Sequence, residues 1–284
     1  GEPEDIASIS VKLGDQTWSL EPGTTQWQVP ENLTDGNYSV VVTFTDNAGN
    51  SASTTYDFVI DTVLTDPAII LIDDTGSNTN DNLTNVNTPS FEISASETLS
   101  AVTVTLDGKT TSLEQNAQGQ WIYTADMLAD GTWTVSVDMV DVAGNHHTET
   151  LTFTVDTQIP IPSIDMESAS DSGASDSDNL TNDTQPVFIL SGIPNDVDTV
   201  YVEINGIKYP AVQSDDGQWS VQPSKLADGD YTATVIVTDL AGNTENSSID
   251  FTVDTQISLS LDLLATSDTG TCLLYTSDAA DDGE

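Results

Sequence analysis

The sequence has no arginine, only four lysines and a single cysteine among its 284 residues. It also lacks any run of 18 apolar residues, so nothing in it is long enough to cross a bilayer as a helix. The lysines, Lys12, Lys109, Lys208 and Lys225, face 47 acids, and the net charge is −43. Nucleic-acid binding requires clustered Lys and Arg that displace counterions from phosphates, and that class is excluded. Docking on an anionic membrane surface is excluded on the same ground. Such a surface favours cations. Acidic chains poor in aromatics are commonly disordered. Here, however, Val, Ile, Thr, Tyr and Trp alternate in runs such as Ala101–Leu106 and Thr132–Val140, the pattern of half-buried strands.

The one cysteine belongs to a separate stretch. Residues from Cys272 to Asp282 look like a translated sequencing adapter, and they follow a repeat that stops in mid-motif. Residues 272–284 therefore read as a non-native tail, which leaves the rest without cysteine. No disulfide framework is open to it, so stability must come from cores or from metal. The chain starts Gly-Glu-Pro with neither an initiator Met nor a signal peptide, and both ends read as cuts.

One long motif occurs three times. It runs Leu33-Thr-Asp35-Gly36-Asn-Tyr38, Asp46-Asn-Ala48-Gly49-Asn50 and Phe58-Val-Ile-Asp61-Thr62, and its counterparts end at Asp156-Thr157 and Asp254-Thr255. The closing Asp-Thr pairs lie 95 and 98 residues apart, a period that fits whole domains rather than solenoid units. An upstream block repeats as well: Asp73-Asp74-Thr-Gly76…Asp81-Asn-Leu-Thr84-Asn85 before Pro89, and Asp171-Ser-Gly173…Asp176-Ser-Asp178-Asn-Leu-Thr181-Asn182 before Pro186. The expected organisation is an N-terminally truncated module at 1–62, complete modules at 63–156 and 157–255, and the start of a fourth at 256–271.

In the second module, alternation predicts seven strands at about 67–73, 89–95, 101–107, 109–113, 120–126, 131–140 and 147–155. Turn pairs such as Asp107-Gly108 and Asp130-Gly131 separate them. Seven short antiparallel strands in a unit of this length predict an all-β fold: tandem seven-stranded immunoglobulin-like β-sandwiches arranged end to end. Asp-Gly-x-Tyr/Trp sits where a tyrosine corner would form. Trp27, Trp121 and Trp219 read as buried aromatics on the fifth strand, with sugar stacking as the alternative.

Asp-x-Ala-Gly-Asn, the Val-Asp-Thr linker and the Asp-x-Gly…Asp-Asn-Leu-Thr-Asn…Pro block resemble the bacterial Ig-like repeats of giant secreted surface adhesins, across nearly all of residues 1–271. The resemblance implies extended rods, export by dedicated secretion systems, an extracellular place on the bacterial cell surface, a part in adhesion or biofilm formation, and calcium near module junctions. The calcium-binding nonapeptide of the associated secretion regions is absent, so the piece reads as stalk.

Strand parity places the acids independently of family. Antiparallel strands alternate direction, so the first loop and the exit Asp of one module share a pole. The Asp-x-Ala-Gly-Asn loop of the next module faces them. Asp73, Asp74, Asp81 and Asp156 are thus expected to meet Asp239 and Asn243. Asp61 is expected to meet Asp141 and Asn145, while Asp171, Asp176, Asp178 and Asp254 form the set for the following junction. Carboxylate and amide oxygens at loose geometry suit calcium, which takes 6–8 oxygens, better than magnesium. The alternative for each is an Asx-turn or a cap. His146 and His147, adjacent and unique to one module, read as solvated surface.

These readings make the chain a non-enzymatic, calcium-rigidified spacer whose partners are neighbouring modules of the same chain. The alternatives are a glycan- or host-protein-binding module and an accessory domain of a secreted hydrolase. Catalysis within the chain is not expected, because the carboxylates lie in repeated loops and not in one unique desolvated pocket.

Overall fold

The computed structural model describes residues 5–29 and 32–257. The proposed fourth module beyond Ile257 and the 272–284 tail lie outside the described residues. Among the described residues there is no α-helix, and none is long and apolar enough to cross a membrane. The chain divides into two compact units. The first is Gly1–Ile159 with Thr238–Asn243, and the second is Pro160–Val237 with Thr244–Glu284.

The first unit opens with β1 (Ile6–Leu13), β2 (Gln16–Leu20), β3 (Gly36–Asp46) and β4 (Ser51–Ile60), an antiparallel sheet in the order β2-β1-β3-β4. Ile9, Val11 and Leu13 are buried on it, but Phe44 is 36% exposed and Tyr56 71%. Trp27, expected on a strand, lies in irregular chain and packs against Trp18 at 5.1 Å.

A full sandwich follows. Its smaller sheet joins β5 (Ala68–Leu71), β7 (Ser90–Ser94) and β10 (Trp121–Thr124), in the order β10-β7-β5. The larger contains β6 (Leu83–Thr84), β8 (Leu99–Leu106), β9 (Lys109–Ser112), β11 (Gly131–Asp141) and β12 (His146–Val155), in the order β6-β12-β11-β8-β9. Alternation works as expected. Val135, Val137 and Met139 on β11 face inward and meet Phe91 and Ile93 of the other sheet, with the Phe91 and Phe153 rings 5.0 Å apart edge to face. Burying each such side chain contributes roughly 1.5–3 kcal/mol. Asp107 (φ 50°) and Gly108 (φ 71°) make the tight hairpin between β8 and β9, both left-handed as a primed two-residue turn demands.

The second unit repeats the plan. Its smaller sheet holds β13 (Ser163–Met166), β15 (Phe188–Ser191), β18 (Val212–Gln213) and β19 (Trp219–Val221). Its larger holds β14 (Leu180–Thr181), β16 (Val197–Ile204), β17 (Ile207–Pro210), β20 (Gly229–Asp239) and β21 (Thr244–Val253). Phe188 and Phe251 pack edge to face at 5.0 Å across the sheets.

Two local expectations meet different outcomes. The tyrosine corner forms in all three repeats. Tyr38 Oη donates to the Thr34 carbonyl at 2.8 Å, Trp133 Nε1 to Ala129 at 2.9 Å, and Tyr231 Oη to Ala227 at 2.8 Å. Trp121 and Trp219 do lie on strands but are half-buried rather than buried, Trp121 on the edge strand β10 and Trp219 at the start of β19.

The strand count also needs one addition. β6 and β14 are two-residue strands that run parallel to β12 and β21, and both fall in the Asn-Leu-Thr block expected to be loop. The block is pinned from both sides: Thr154 N donates to Asn82 O and Asp156 N to Thr84 O, each at 2.9 Å. Thr84 and Thr181 are buried there at 0% and 1% exposure.

Candidate metal centre

The Asp-x-Ala-Gly-Asn loops are built first as turns. Asp141 ends β11 at 1% exposure. Its Oδ1 accepts from Gly144 N at 2.7 Å and Asn145 N at 2.9 Å, and its Oδ2 from Asn145 Nδ2 at 2.7 Å. Asp46 and Asp239 hold the same pattern with Asn50 and Asn243. A carboxylate that accepts several N–H bonds is stabilised in its charged form. Burial works against Asp141 ionising, yet the Asn145 and Gly144 bonds together outweigh it and hold the carboxyl below its ordinary range.

Asp61, which follows β4, reaches this loop. Asn145 Nδ2 also donates to Asp61 Oδ1 at 3.2 Å. Glu97, in the turn between β7 and β8, completes the group. Asp61, Glu97 and Asp141 each present a carboxylate oxygen, all within 4.8 Å of one another. Thr65 N and Thr65 Oγ1 donate to Glu97 Oε1 at 2.5 and 3.0 Å and fix it there. Desolvation, followed by repulsion from Glu97, Asp141 and Asp35, pushes the Asp61 carboxyl above its usual range. Three acids at this separation repel one another unless something positive lies among them. The donor set is all hard oxygen, and it fits a calcium-type ion that accepts loose geometry.

Asp156 and Asp239 also bring carboxylate oxygens within 4.8 Å, and Asn243 Nδ2 donates to the Asp156 carbonyl at 2.8 Å. Both the Asp156 stretch and the Thr238–Asn243 loop belong to the first unit.

The loop carrying Asp73, Asp74 and Asp81 does reach the Asp239–Asn243 loop, through Thr75 and Gly76, but none of the remaining acids belongs to either group of converging carboxylates. Asp73 Oδ2 accepts from Ser90 N at 2.7 Å and fastens its own loop to β7. Asp74 Oδ2 accepts from Asn82 N at 3.1 Å, while its Oδ1 is buried with no partner. Desolvation first, then the neighbouring Asp81, push the Asp74 carboxyl upward. Asp81 and Asp178 each cap an Asx-turn at Leu83 and Leu180. Asp171, 5% exposed, repeats the Asp74 arrangement with Asn179 N and has its own Oδ1 buried without a partner. Asp176 and Asp254 are solvent-facing, Asp254 accepting from Gln256 N. His146 meets Asp138 at 3.4 Å and His147 meets Glu149 at 3.2 Å, each histidine with one carboxylate of its own sheet.

Glu97 is the residue that the repeated motifs do not supply, because it lies outside them. Parity carries the signal that could have found it. The loop after the second strand lies at the same pole as the loop after the sixth.

Paired antiparallel sheets with an inter-sheet aromatic core and tyrosine corners define the class as immunoglobulin-like β-sandwich repeats. The sequence matches the bacterial Ig-like domain family over residues 1–62, 64–157 and 158–255. The chain belongs to that family. No curated protein matches the sequence. Among solved structures, the chain is similar to a calcium-stabilised adhesin that helps an Antarctic bacterium reach out and bind ice. That match has 24% identity and a TM-score of 0.37, and it covers 89% of this chain and 66% of that one. A 1.5-MDa bacterial ice-binding adhesin matches at 22% identity and TM-score 0.36, over 88% of this chain and 86% of that one. Fibronectin(III)-like modules of Clostridium thermocellum CbhA match at 10% identity and TM-score 0.44, over 69% and 100%.

Proposed function

We propose that the chain is a stalk segment of a large extracellular bacterial adhesin, a non-enzymatic spacer stiffened by calcium where successive repeats meet. The observation that carries this reading is the Asp61–Glu97–Asp141 group, in which acids from the exit of one repeat and from two loops of the next converge. Family membership and the repeated Asp-x-Ala-Gly-Asn loop support it. A bound calcium ion would supply the missing positive charge. Asp61, Glu97 and Asp141 would hold it, and Asn145, which already bridges two of them, would orient them. The chain's own part is to keep these oxygens fixed on strand ends and turns. A net charge of −43 keeps the surface soluble and draws divalent cations to it.

Thermal melts of the full chain in millimolar calcium and in chelator test this. A ligand that binds only the folded state at 100 times its dissociation constant adds about 2.7 kcal/mol, which moves the melting of domains of this size by several degrees. Identical melts in calcium and chelator would remove the reading.

A further inference from the structure

The Asp-x-Ala-Gly-Asn loop occurs three times, but its surroundings differ. Ala241 is 1% exposed, whereas Ala48 and Ala143 in the equivalent loops are exposed. The tip of the 73–85 loop covers Ala241. Thr75 Oγ1 donates to the Ala241 carbonyl at 2.6 Å, and the same hydroxyl accepts from Asn85 N at 2.9 Å, which fixes its direction. Beside it, Gly76 (φ +84°) lies so near that a methyl group there would sit 2.0 Å from the Leu240 carbonyl oxygen. A Cβ on Gly242 would in turn meet Gly76 N at 3.0 Å. Gly49 and Gly144, the counterparts of Gly242, have nothing within 4 Å. Every one of these contacts lies inside the first unit.

We infer that Thr75-Gly76 and the Asp239–Asn243 loop are the plug and socket of a docking device that takes a second copy of the same kind of repeat. It works through main-chain contact and needs no cation. The plug touches carbonyl oxygens and backbone, so it reads the shape of the turn and not its side chains. Glycine is required at 76 because a Cβ would occupy the space of the Leu240 carbonyl, while at 242 the left-handed turn already calls for glycine and a Cβ would in addition be tight against Gly76. The socket's shape is set by its internal hydrogen bonds from Asn243 to Asp239, and the uncovered Asp46 loop makes the same bonds with Asn50.

Both halves recur along the sequence. Ser172-Gly173 stands where Thr75-Gly76 does, and Asn182 N donates to Ser172 Oγ at 2.7 Å, as Asn85 does to Thr75. That second plug is preformed, and among the described residues nothing lies within 4 Å of a Cβ placed on Gly173. The sockets recur at Ala48-Gly49 and Ala143-Gly144. The partner is therefore specified by chemistry: a hydroxyl-glycine tip on one repeat and an Asp-x-Ala-Gly-Asn turn on another. This device goes beyond the calcium reading and stands without it.

Hydrogen exchange on the full chain in chelator, followed at residues 238–243, tests the inference. Gly76→Ala is expected to speed exchange there about tenfold, the scale of losing one hydrogen bond with its packing. Gly173→Ala imposes the same kind of left-handed strain with no neighbour to strike, and it is expected to leave residues 238–243 as in the wild type. Thr75→Val removes the hydroxyl while adding no bulk near Leu240, and it should give a smaller rise in the same place. The inference is overturned if Gly76→Ala exchanges like the wild type, or if Gly173→Ala has an equal effect at 238–243. It is also overturned if chelator alone abolishes the wild-type protection. Failure of the calcium reading would show differently, as melts insensitive to chelator with the Gly76→Ala effect intact.

Discussion

The loops Asp141–Asn145 and Asp239–Asn243 share their sequence pattern and their internal hydrogen bonds, and they are used in different ways. The first meets carboxylates: Asp61 and Glu97 crowd Asp141, and Asn145 bridges two of the three. The second also meets a carboxylate, that of Asp156, but it is covered by backbone as well, with Thr75 and Gly76 seated on Leu240 and Ala241. In both, the motif's own acid is spent on making the turn. What arrives from outside the motif decides the role. A repeated Asp is thus primarily a structural residue, and the proposed cation site needs further acids added to it.

The largest effect that would break this comparison is loss of the turn itself. Asp141→Ala leaves Gly144 N and Asn145 N without their side-chain acceptor and takes one of two acceptors from Asn145 Nδ2, at a position 1% exposed. Such losses rank among the more damaging single substitutions. Melting of the first unit should fall by several degrees or more, with calcium and without it. A variant that melted like the wild type in chelator would show that Asp141 serves only a cation. Gly76→Ala should act on the other loop and leave calcium affinity unchanged, and calorimetry on that variant checks this.

Next in size is the pH dependence without calcium. The Asp61 carboxyl is raised by desolvation and by its acidic neighbours, so between an unfolded value near ~3.9 and its raised value the folded state holds the extra proton. Stability contributed by protonating it is present at low pH and is lost as pH rises through that window. Asp46 and Asp141 are lowered and work in the opposite sense. Their contribution is complete above ~3.9 and is lost as pH falls through their lowered values. In chelator the first unit should therefore melt higher just above pH ~4 than at pH 7, and calcium should remove that difference. A melt that only rises toward neutrality in chelator would contradict the repulsion among Asp61, Glu97 and Asp141.

The smallest expected effect sharpens the point that charge alone is not a site. Lys109 and Asp126 pair at 2.6 Å with both side chains largely exposed. Exposed pairs of this kind contribute little. Lys109→Ala should leave melting and calcium affinity within experimental error, as a melt and a titration would show.

Much of this architecture is legible in the sequence. Alternation along β11 and β12 and the Asp-Gly turns announce the sandwich, because a strand with one buried face must alternate. β6 and β14 are not legible. Two residues carry no periodicity, and their pairing depends on a strand about 70 residues away. The site is legible where topology governs it: parity brings Asp61 to Asp141 and Asn145. Parity places loops at a pole but does not aim side chains within them, so Asp73, Asp74 and Asp81 remain committed to their own loop. Glu97 stands outside the repeated sequence motifs, and its counterpart in the matching loop between β15 and β16, Asp196, shares neither its residue type nor its flanking sequence.

Calorimetric titration of calcium into the full chain, wild type beside Glu97→Gln, tests the central claim most directly. Glu97→Gln preserves the side chain's shape and still offers an oxygen to Thr65, but it removes one charge from the group. The account predicts measurable calcium binding in the wild type and, in the variant, an affinity about tenfold or more weaker for that class of sites, with the fold intact. Equal titration curves for the two proteins would place any bound calcium elsewhere and contradict the account.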